Sequence, residues 1–414
     1  MIVKDTLTNG VRVIAEKIPH VRSIALGIWI GTGSENEDEG NNGISHFMEH
    51  MMFKGTKTKT ARQIAETFDE IGGQVNAFTA KEMTCYYSKV IDEHFGTALD
   101  TLAEMFFEST FAEEELEKEK KVVIEEIKMV EDTPDDLVHD LLSTVALQNH
   151  SLGYTILGST ENVKGFTRED LIQYQADHYT PDNIVISIAG NLPADYLQQI
   201  ARWFGSFQGK QKAKTKQKPI FIADSLSKAK STEQSHICMG MPGLAVQDDR
   251  IYTMTLLNNI LGGNMSSRLF QEIREERGLA YSVFSYHIAH RITGVFAIYA
   301  GTANGQEDEV ISHIHDTLDK VIRDGLTSFE LKKAREQLKG SMMLGLEGTN
   351  NRMSRMGRNE LLLGKHKTLD ETLDLVNRVT IDEMNQLAKE LFSSSRALAL
   401  ISANGKIPAS FRRN

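Results

Sequence analysis

His46, Glu49 and His50 are the residues of this chain whose types and spacing could do chemistry together. They fall in Gly43-Ile44-Ser45-His46-Phe47-Met48-Glu49-His50-Met51-Met52-Phe53-Lys54-Gly55, where Ile44, Phe47, Met48, Met51 and Met52 recur at helical spacing. Asn42 is expected to cap this helix, and Gly55 to supply the left-handed residue beyond its end. Four residues apart, the two imidazoles project from one face, one turn apart, and could clamp a single ion; two neutral imidazoles suit zinc. Glu49 lies beside that face. It could stay off the metal and take a proton from an attacking water, the division of labour in metal-assisted hydrolysis. An amphipathic core helix carrying two ordinary histidines would show the same five-residue pattern, so the flanks and the rest of the chain must decide.

A catalytic zinc needs a third protein ligand and one open position. A helix is expected from Glu113 to Glu131, and positions 119, 122, 123, 126, 127 and 130 form one stripe along it. That stripe reads Glu119, Val122, Val123, Glu126, Ile127, Val130, placing two glutamates in an apolar face. A carboxylate among core residues costs several kcal/mol, of order 3–5, unless it is paired or bound to metal. Zinc would satisfy Glu126. Glu119, two turns earlier, could accept a hydrogen bond from a ligand histidine and fix its tautomer. Pairing with a buried Arg or Lys would satisfy either glutamate equally well. Glu125 shares its side with Lys118, Lys121 and Lys128 and is expected to be solvated.

The run His46-Phe47-Met48-Glu49-His50-Met51-Met52-Phe53-Lys54-Gly55-Thr56 resembles the signature of the inverzincin peptidases. This pitrilysin-type M16 family includes the mitochondrial processing peptidases and insulin-degrading enzyme. The segment Glu119-Lys120-Lys121-Val122-Val123-Ile124-Glu125-Glu126 matches the family's later helix. The resemblance implies one Zn2+ per chain, held by His46, His50 and Glu126, with Glu49 and Glu119 as the catalytic carboxylates, Glu49 the base and Glu119 orienting a ligand. It further implies that Asn76, Ala77 and Phe78 belong to an edge strand onto which a peptide substrate adds through main-chain hydrogen bonds. The residues themselves would also fit an internal strand.

In the stretch from Ser266 to Val283, Arg274 and Tyr281 have the family's spacing for groups that bind substrate and stabilise the oxyanion; by type alone, an Arg in a charged helix is usually surface. Chain length matches the two-domain members that act as dimers, so a homodimer with composite active sites is expected. The glycine-rich loop of the non-catalytic processing-peptidase subunit is not evident, Leu261-Gly262-Gly263-Asn264-Met265 being much shorter. The function implied is a zinc-dependent endopeptidase of the two-domain, processing-peptidase-like type, acting on peptides or unfolded segments. The alternative is a non-catalytic peptide-binding or assembly subunit of the same fold, which would have no need of an unligated Glu49.

The elements that must position these groups alternate without a regular β-α-β order. Asn9-Gly10 marks a hairpin, 23–30, 74–79, 84–90 and 183–189 read as strands, and helices are expected over 95–108, 113–131, 134–147 and 168–178. The pattern then repeats from His236 to Ala403, with Thr253-Met254-Thr255-Leu256-Leu257-Asn258-Asn259 where the first half has its histidines. The expected fold is α+β, two homologous domains, each a mainly antiparallel sheet with helices on one face. The boundaries are 1–208 for the metal-binding domain, 209–232 for a linker carrying Lys210, Lys212, Lys214, Lys216 and Lys218, and 233–414 for the metal-free copy.

Across 414 residues the formal net charge is −11, which leaves no excess of Lys and Arg to neutralise nucleic-acid phosphates. The two cysteines, Cys85 and Cys238, lie in apolar strand-like runs and read as core residues. No presequence and no membrane-length apolar run is evident, so a cytoplasmic location is the expectation.

Overall fold

The computed structural model describes residues 2–210 and 218–412. In the first half of the chain the strands are β1 (Ile2–Thr6), β2 (Arg12–Lys17), β3 (Ser23–Ile30), β4 (Gln74–Thr79), β5 (Thr84–Ile91) and β6 (Ile184–Gly190). The helices there are α1 (Ile44–Met51), α2 (Ala61–Glu70), α3 (Phe95–Glu108), α4 (Glu113–Glu131), α5 (Pro134–Ala146), α6 (Thr160–Gly165), α7 (Arg168–His178) and α8 (Tyr196–Phe204). The second half carries β7 (Ser225–Ala229), β8 (Gln234–Gly243), β9 (Ala280–Ala289), β10 (Gly294–Ala303) and β11 (Ala397–Ser402). Its helices are α9 (Ile251–Gly262), α10 (Glu307–Asp324), α11 (Ser328–Gly345), α12 (Thr349–Leu363), α13 (Leu369–Arg378) and α14 (Ile381–Phe392).

Among the described residues the strands form two sheets, ordered β1-β2-β6-β3-β5-β4 and β7-β11-β8-β10-β9. Both are mainly antiparallel. The parallel pair β2 with β6 in one has its counterpart in β7 with β11 in the other, and β3-β5-β4 corresponds to β8-β10-β9. The expected duplication is therefore visible in five strands of each sheet, with β1 added at one edge of the first, and the α+β class stands.

β3 and β6 lie in the middle of the first sheet and are buried along almost their whole length, which requires cover on both faces. On one face Ile24, Leu26, Ile28 and Ile30 meet Phe47, Met48 and Met51 of α1 and Leu99 and Leu102 of α3. The other face, with Ala25, Trp29, Cys85 and Val185, is covered by Met353, Met356, Leu361 and Leu362 of α12, so helices are not confined to one face. The helix lies close: a Cβ on Gly357 would stand 2.3 Å from Trp29 Nε1, whose N–H points at Met353 Sδ, 3.3 Å away. Glu360 of α12, 1% exposed, pairs with Lys4 at 2.7 Å and Arg12 at 3.4 Å.

Accordingly the two compact units are not contiguous stretches. The first comprises Met1–Lys128, Thr155–Lys216 and Gly345–His366; the second comprises Met129–Tyr154, Gln217–Leu344 and Lys367–Asn414. In the second unit α5 covers the sheet, Val138, Leu142 and Val145 meeting Cys238, Val295, Ala297 and Ala399, with Tyr286 OH 2.6 Å from His139 Nδ1.

Three local expectations need correction. The linker over 209–232 falls partly on residues 211–217, outside those described, and its later part is not linker: Ser225–Ala229 is β7, parallel to β11, with Leu226 half-buried against an apolar cluster. A strand with one large apolar residue gives little periodic signal. Val122 is 51% exposed and leaves the α4 stripe, which runs through Leu116, Glu119, Val123 and Ile127 instead. Asn42 does not cap α1; the carboxylate of Glu37 does.

Candidate metal centre

α1 starts at Gly43, whose φ of 102° and the carbonyl of Leu157, 2.6 Å from where a Cβ would be, leave room for glycine alone. The helix is capped by Glu37. Its carboxylate accepts from the amides of Gly43 and Ser45 and from the Asn42 side chain, each at 2.8 Å, so Asn42 serves the cap as a donor. Burial pushes the Glu37 pKa up, while these donors pull it back and the positive end of the helix suits the charge. Apolar residues then seat α1 against the sheet, and Gly55, with φ of 121°, turns the chain away after it.

Turned out from that seat, His46 and His50 hold their ring centroids 4.6 Å apart. Both Nε2 atoms face one oxygen of Glu126 on α4, His46 at 3.7 Å and His50 at 3.5 Å. One ligand atom from each of the three lies within 4.8 Å of the others. Donors about 2.0–2.2 Å from a tetrahedral zinc stand roughly 3.4 Å apart, so the separations fit an ion of this kind.

The hydrogen-bond partners support the same fit. Glu119 Oε1 lies 2.8 Å from His50 Nδ1. An ionised carboxylate only accepts, so Nδ1 carries the hydrogen and, in the neutral ring, Nε2 presents its lone pair toward Glu126. Burial, with the neighbouring His50, lowers the His46 pKa to about 3, keeping that ring neutral. With His46 in the Nδ1–H tautomer as well, two acceptor nitrogens would face one carboxylate oxygen, an arrangement that a cation between them would relieve. At His50 burial works downward, but the hydrogen bond and charge of Glu119, with Glu126 and Glu49, leave its pKa raised. The carboxylates that raise it, Glu119, Glu126 and Glu49, would also attract a cation.

Glu119 is 3% exposed and uses both oxygens, the second 2.7 Å from Lys54 Nζ. Burial pushes its pKa up, and the bonds from His50 and Lys54 more than offset this, so it is lowered. The sequence left metal-site service and pairing with a cation as alternatives for Glu119; both kinds of partner are present. Glu125 is exposed and pairs with Lys128 at 2.7 Å.

Glu49 does not join the three. Its Oε2 accepts from the Thr79 hydroxyl at 2.5 Å, and burial raises its pKa against the pull of Thr79 and His50. β4 is the outermost strand of its sheet, with Asn76 and Phe78 on the more exposed face and Ala77 and Thr79 on the other. In the second unit, Arg274 lies in a π-helical turn, Phe270–Glu275, its guanidinium carbon 4.7 Å from the Phe270 ring centroid and 4.8 Å from that of Tyr281. Tyr281, on the outermost strand β9, is 75% exposed. The structure brings together His46, His50, Glu126, Glu119 and Glu49 in one unit, and Arg274 with Tyr281 in the other.

Sequence reasoning missed Glu37, Lys54 and Thr79. Thr79 had a signal, since strand alternation sets it on the side opposite Phe78. Lys54 lies one turn beyond His50, within reach of a carboxylate beside it. Glu37 had none, because it stands six residues before the helix start. No described helix is long and apolar enough to cross a membrane.

Comparison with known proteins gives these positions a context. Residues 12–160 match the family model Insulinase (Peptidase family M16), and residues 165–338 match Peptidase M16 inactive domain. An uncharacterized zinc protease of Bacillus subtilis, YmxG, is 56% identical over 409 residues, covering 99% of this chain and 100% of that protein. Another, from Streptomyces coelicolor, is 38% identical over 407 residues, 96% of this chain and 89% of its own length. A solved protease from Helicobacter pylori has the same fold, with a TM-score of 0.90 at 21% identity, covering 97% of this chain and 99% of that one. The His46, His50, Glu126 cluster lies within the first matched region. With family models matching both halves and a relative identical at more than half of nearly all its positions, the chain belongs to peptidase family M16.

Proposed function

We propose that this chain is a zinc-dependent endopeptidase that hydrolyses peptide bonds in peptides or unfolded segments. The observation that carries the proposal is the convergence of His46 Nε2, His50 Nε2 and a Glu126 oxygen beside a carboxylate, Glu49, that is held off by another partner. Zinc bound by these three residues would supply a Lewis acid and make an attacking water acidic. Glu49 accepts the proton from that water and returns it to the leaving amine nitrogen. Its half-buried position, which raises its pKa, suits a group that must hold a proton between two transfers. Glu119 holds the His50 ring in the tautomer that turns Nε2 inward.

The outer edge of β4, along Asn76, Ala77 and Phe78, where the Ala77 N–H donates to Asn76 Oδ1 at 2.8 Å, would offer main-chain groups to an extended peptide once that side chain turns aside, which selects unfolded over folded substrates. Arg274 and Tyr281 supply donors to the oxyanion from a second copy of the chain in a homodimer with composite sites. A cytoplasmic location is part of the same proposal. A subunit that binds peptides without turnover would keep β4 and have no use for Glu49.

The test is zinc content measured beside cleavage of a mixed unstructured peptide library. Glu49→Gln should keep one zinc per chain and lose about 10²-fold or more of the cleavage rate. Comparable cleavage by that variant would overturn the role of Glu49, and no cleavage by the wild type would favour the binding subunit. The composite site is tested by mixing Glu49→Gln chains with Arg274→Ala, Tyr281→Phe chains. Exchange between equal amounts should restore roughly a quarter of wild-type sites, and no recovery despite exchange would refute it.

A further inference from the structure

We infer that Thr79 is a positioning residue for the base, its hydroxyl fixing the Glu49 carboxylate so that one oxygen is held and the other stays available to the attacking water. The inference rests on the peptidase reading and adds a role to a residue that reading does not need. Glu49 faces a geometric difficulty. It stands three residues after one metal-cluster histidine and one before the other, on a side chain with three rotatable bonds. Without a restraint, its carboxylate can swing toward the same cation as Glu126 and fill the position that substrate and water require, or turn to solvent. The Thr79 hydroxyl, 2.5 Å from Oε2, removes that freedom.

Thr79 is well suited to do so. Its side chain is stiff at χ1, because β-branching leaves few rotamers, so the direction of the hydroxyl is set by the strand. The strand itself is fixed at this point, Thr79 pairing with Thr84 of β5, whose own hydroxyl bonds the Thr32 carbonyl at 2.9 Å. Alternation along β4 turns Ala77 and Thr79 toward α1 while Asn76 and Phe78 point the other way, Phe78 against Trp29 with ring centroids 5.5 Å apart. A hydroxyl also donates only one hydrogen, so Oε1 remains free of Thr79. The strand whose open edge would take the substrate thereby also sets the base.

The experiment compares Thr79→Val, which keeps the shape and removes the hydroxyl, with Thr79→Ser, which keeps the hydroxyl. For Thr79→Val, kcat on an unstructured peptide should fall about 10- to 100-fold, the scale of a misplaced catalytic group. KM, zinc content and the affinity of zinc-free protein for the same peptide should stay within about twofold, and Thr79→Ser should recover most of the lost kcat. Combined with Glu49→Gln, Thr79→Val should cause no further loss, since both act through one carboxylate. The inference is overturned by a Thr79→Val enzyme with wild-type kcat, by losses confined to KM or peptide affinity, by a Thr79→Ser enzyme as slow as Thr79→Val, or by losses that add to those of Glu49→Gln. A wild-type protein that binds zinc and cleaves nothing overturns the peptidase reading and this inference with it, whereas active wild type and inactive Glu49→Gln confine any failure to Thr79.

Discussion

Replacing Glu119 separates its two duties. Its oxygens accept from His50 Nδ1 at 2.8 Å and from Lys54 Nζ at 2.7 Å. Glutamine offers one oxygen, so one of the two must face an amide N–H. If the oxygen stays on His50, the tautomer survives and Lys54, whose side chain is 29% exposed, can turn to water. If the amide faces His50, the ring must move its hydrogen to Nε2, and no lone pair is left for a cation. The first arrangement is favoured, at the cost of a hydrogen bond to a charged group and of the negative charge behind the imidazole. Loss of a partner of this kind typically weakens metal binding about 10- to 100-fold, or about 1.4–2.7 kcal/mol. Glu119→Ala leaves the His50 N–H with no acceptor, and the expected loss is larger. Zinc dissociation constants from competition with a chromophoric chelator, at constant pH and on protein checked for native unfolding behaviour, give the ranking wild type, Glu119→Gln, Glu119→Ala. Equal affinity for all three would refute the claim that Glu119 orients a ligand.

In the same titration Glu126→Gln should weaken zinc more than Glu119→Gln, while Glu125→Gln, exposed beside Lys128, should match the wild type; the reverse order would remove Glu126 from the ligand set. A separate expectation concerns acid stability. Burial works to raise the pKa of Glu104 on α3, but donors on Lys59, Thr56 and Thr58 bring it down from 4.5 to about 2. A folded-state pKa below the unfolded one gives stability that is full above about pH 4.5 and fades as pH falls toward 2. Glu104→Gln should therefore be less stable than wild type by on the order of 2 kcal/mol near neutrality, with the gap closing across that window. A gap independent of pH in denaturant unfolding of metal-free protein would count against the charge as its source.

Features that depend on neighbours in sequence were legible before the structure. The i, i+4 histidines of α1, the Thr60 and Gln63 capping box of α2, and the placing of Glu119 and Glu126 on the α4 side away from Glu125 all follow from helical geometry. Features set by distant chain were not. Nothing local tells Glu37 that it will lie over the start of α1, and nothing in the apolar stripe of α5 or α12 says which sheet it will cover. Val122 belongs to the helical stripe by angle, yet its neighbourhood is solvent, because the width of a buried face depends on what lies opposite.

That α12 covers the first sheet and α5 the second bears on how the protein is made. Trp29 and the Met353 that covers it are 324 residues apart. During synthesis, β6 completes the first sheet about 160 residues before α12 begins, from Gly190 to Thr349. At about 5–20 residues per second, the face bearing Ala25, Trp29 and Val185 stays bare for on the order of 10–30 s. For part of that interval, until Ala303 completes β10, α5, already made, also waits for β8 and β10 to receive its apolar side. A nascent chain in this state exposes an uncovered sheet and an uncommitted helix at once. Stalling or cleavage before Thr349 would leave a fragment with its histidines in place on α1 and no means of closing the sheet behind them.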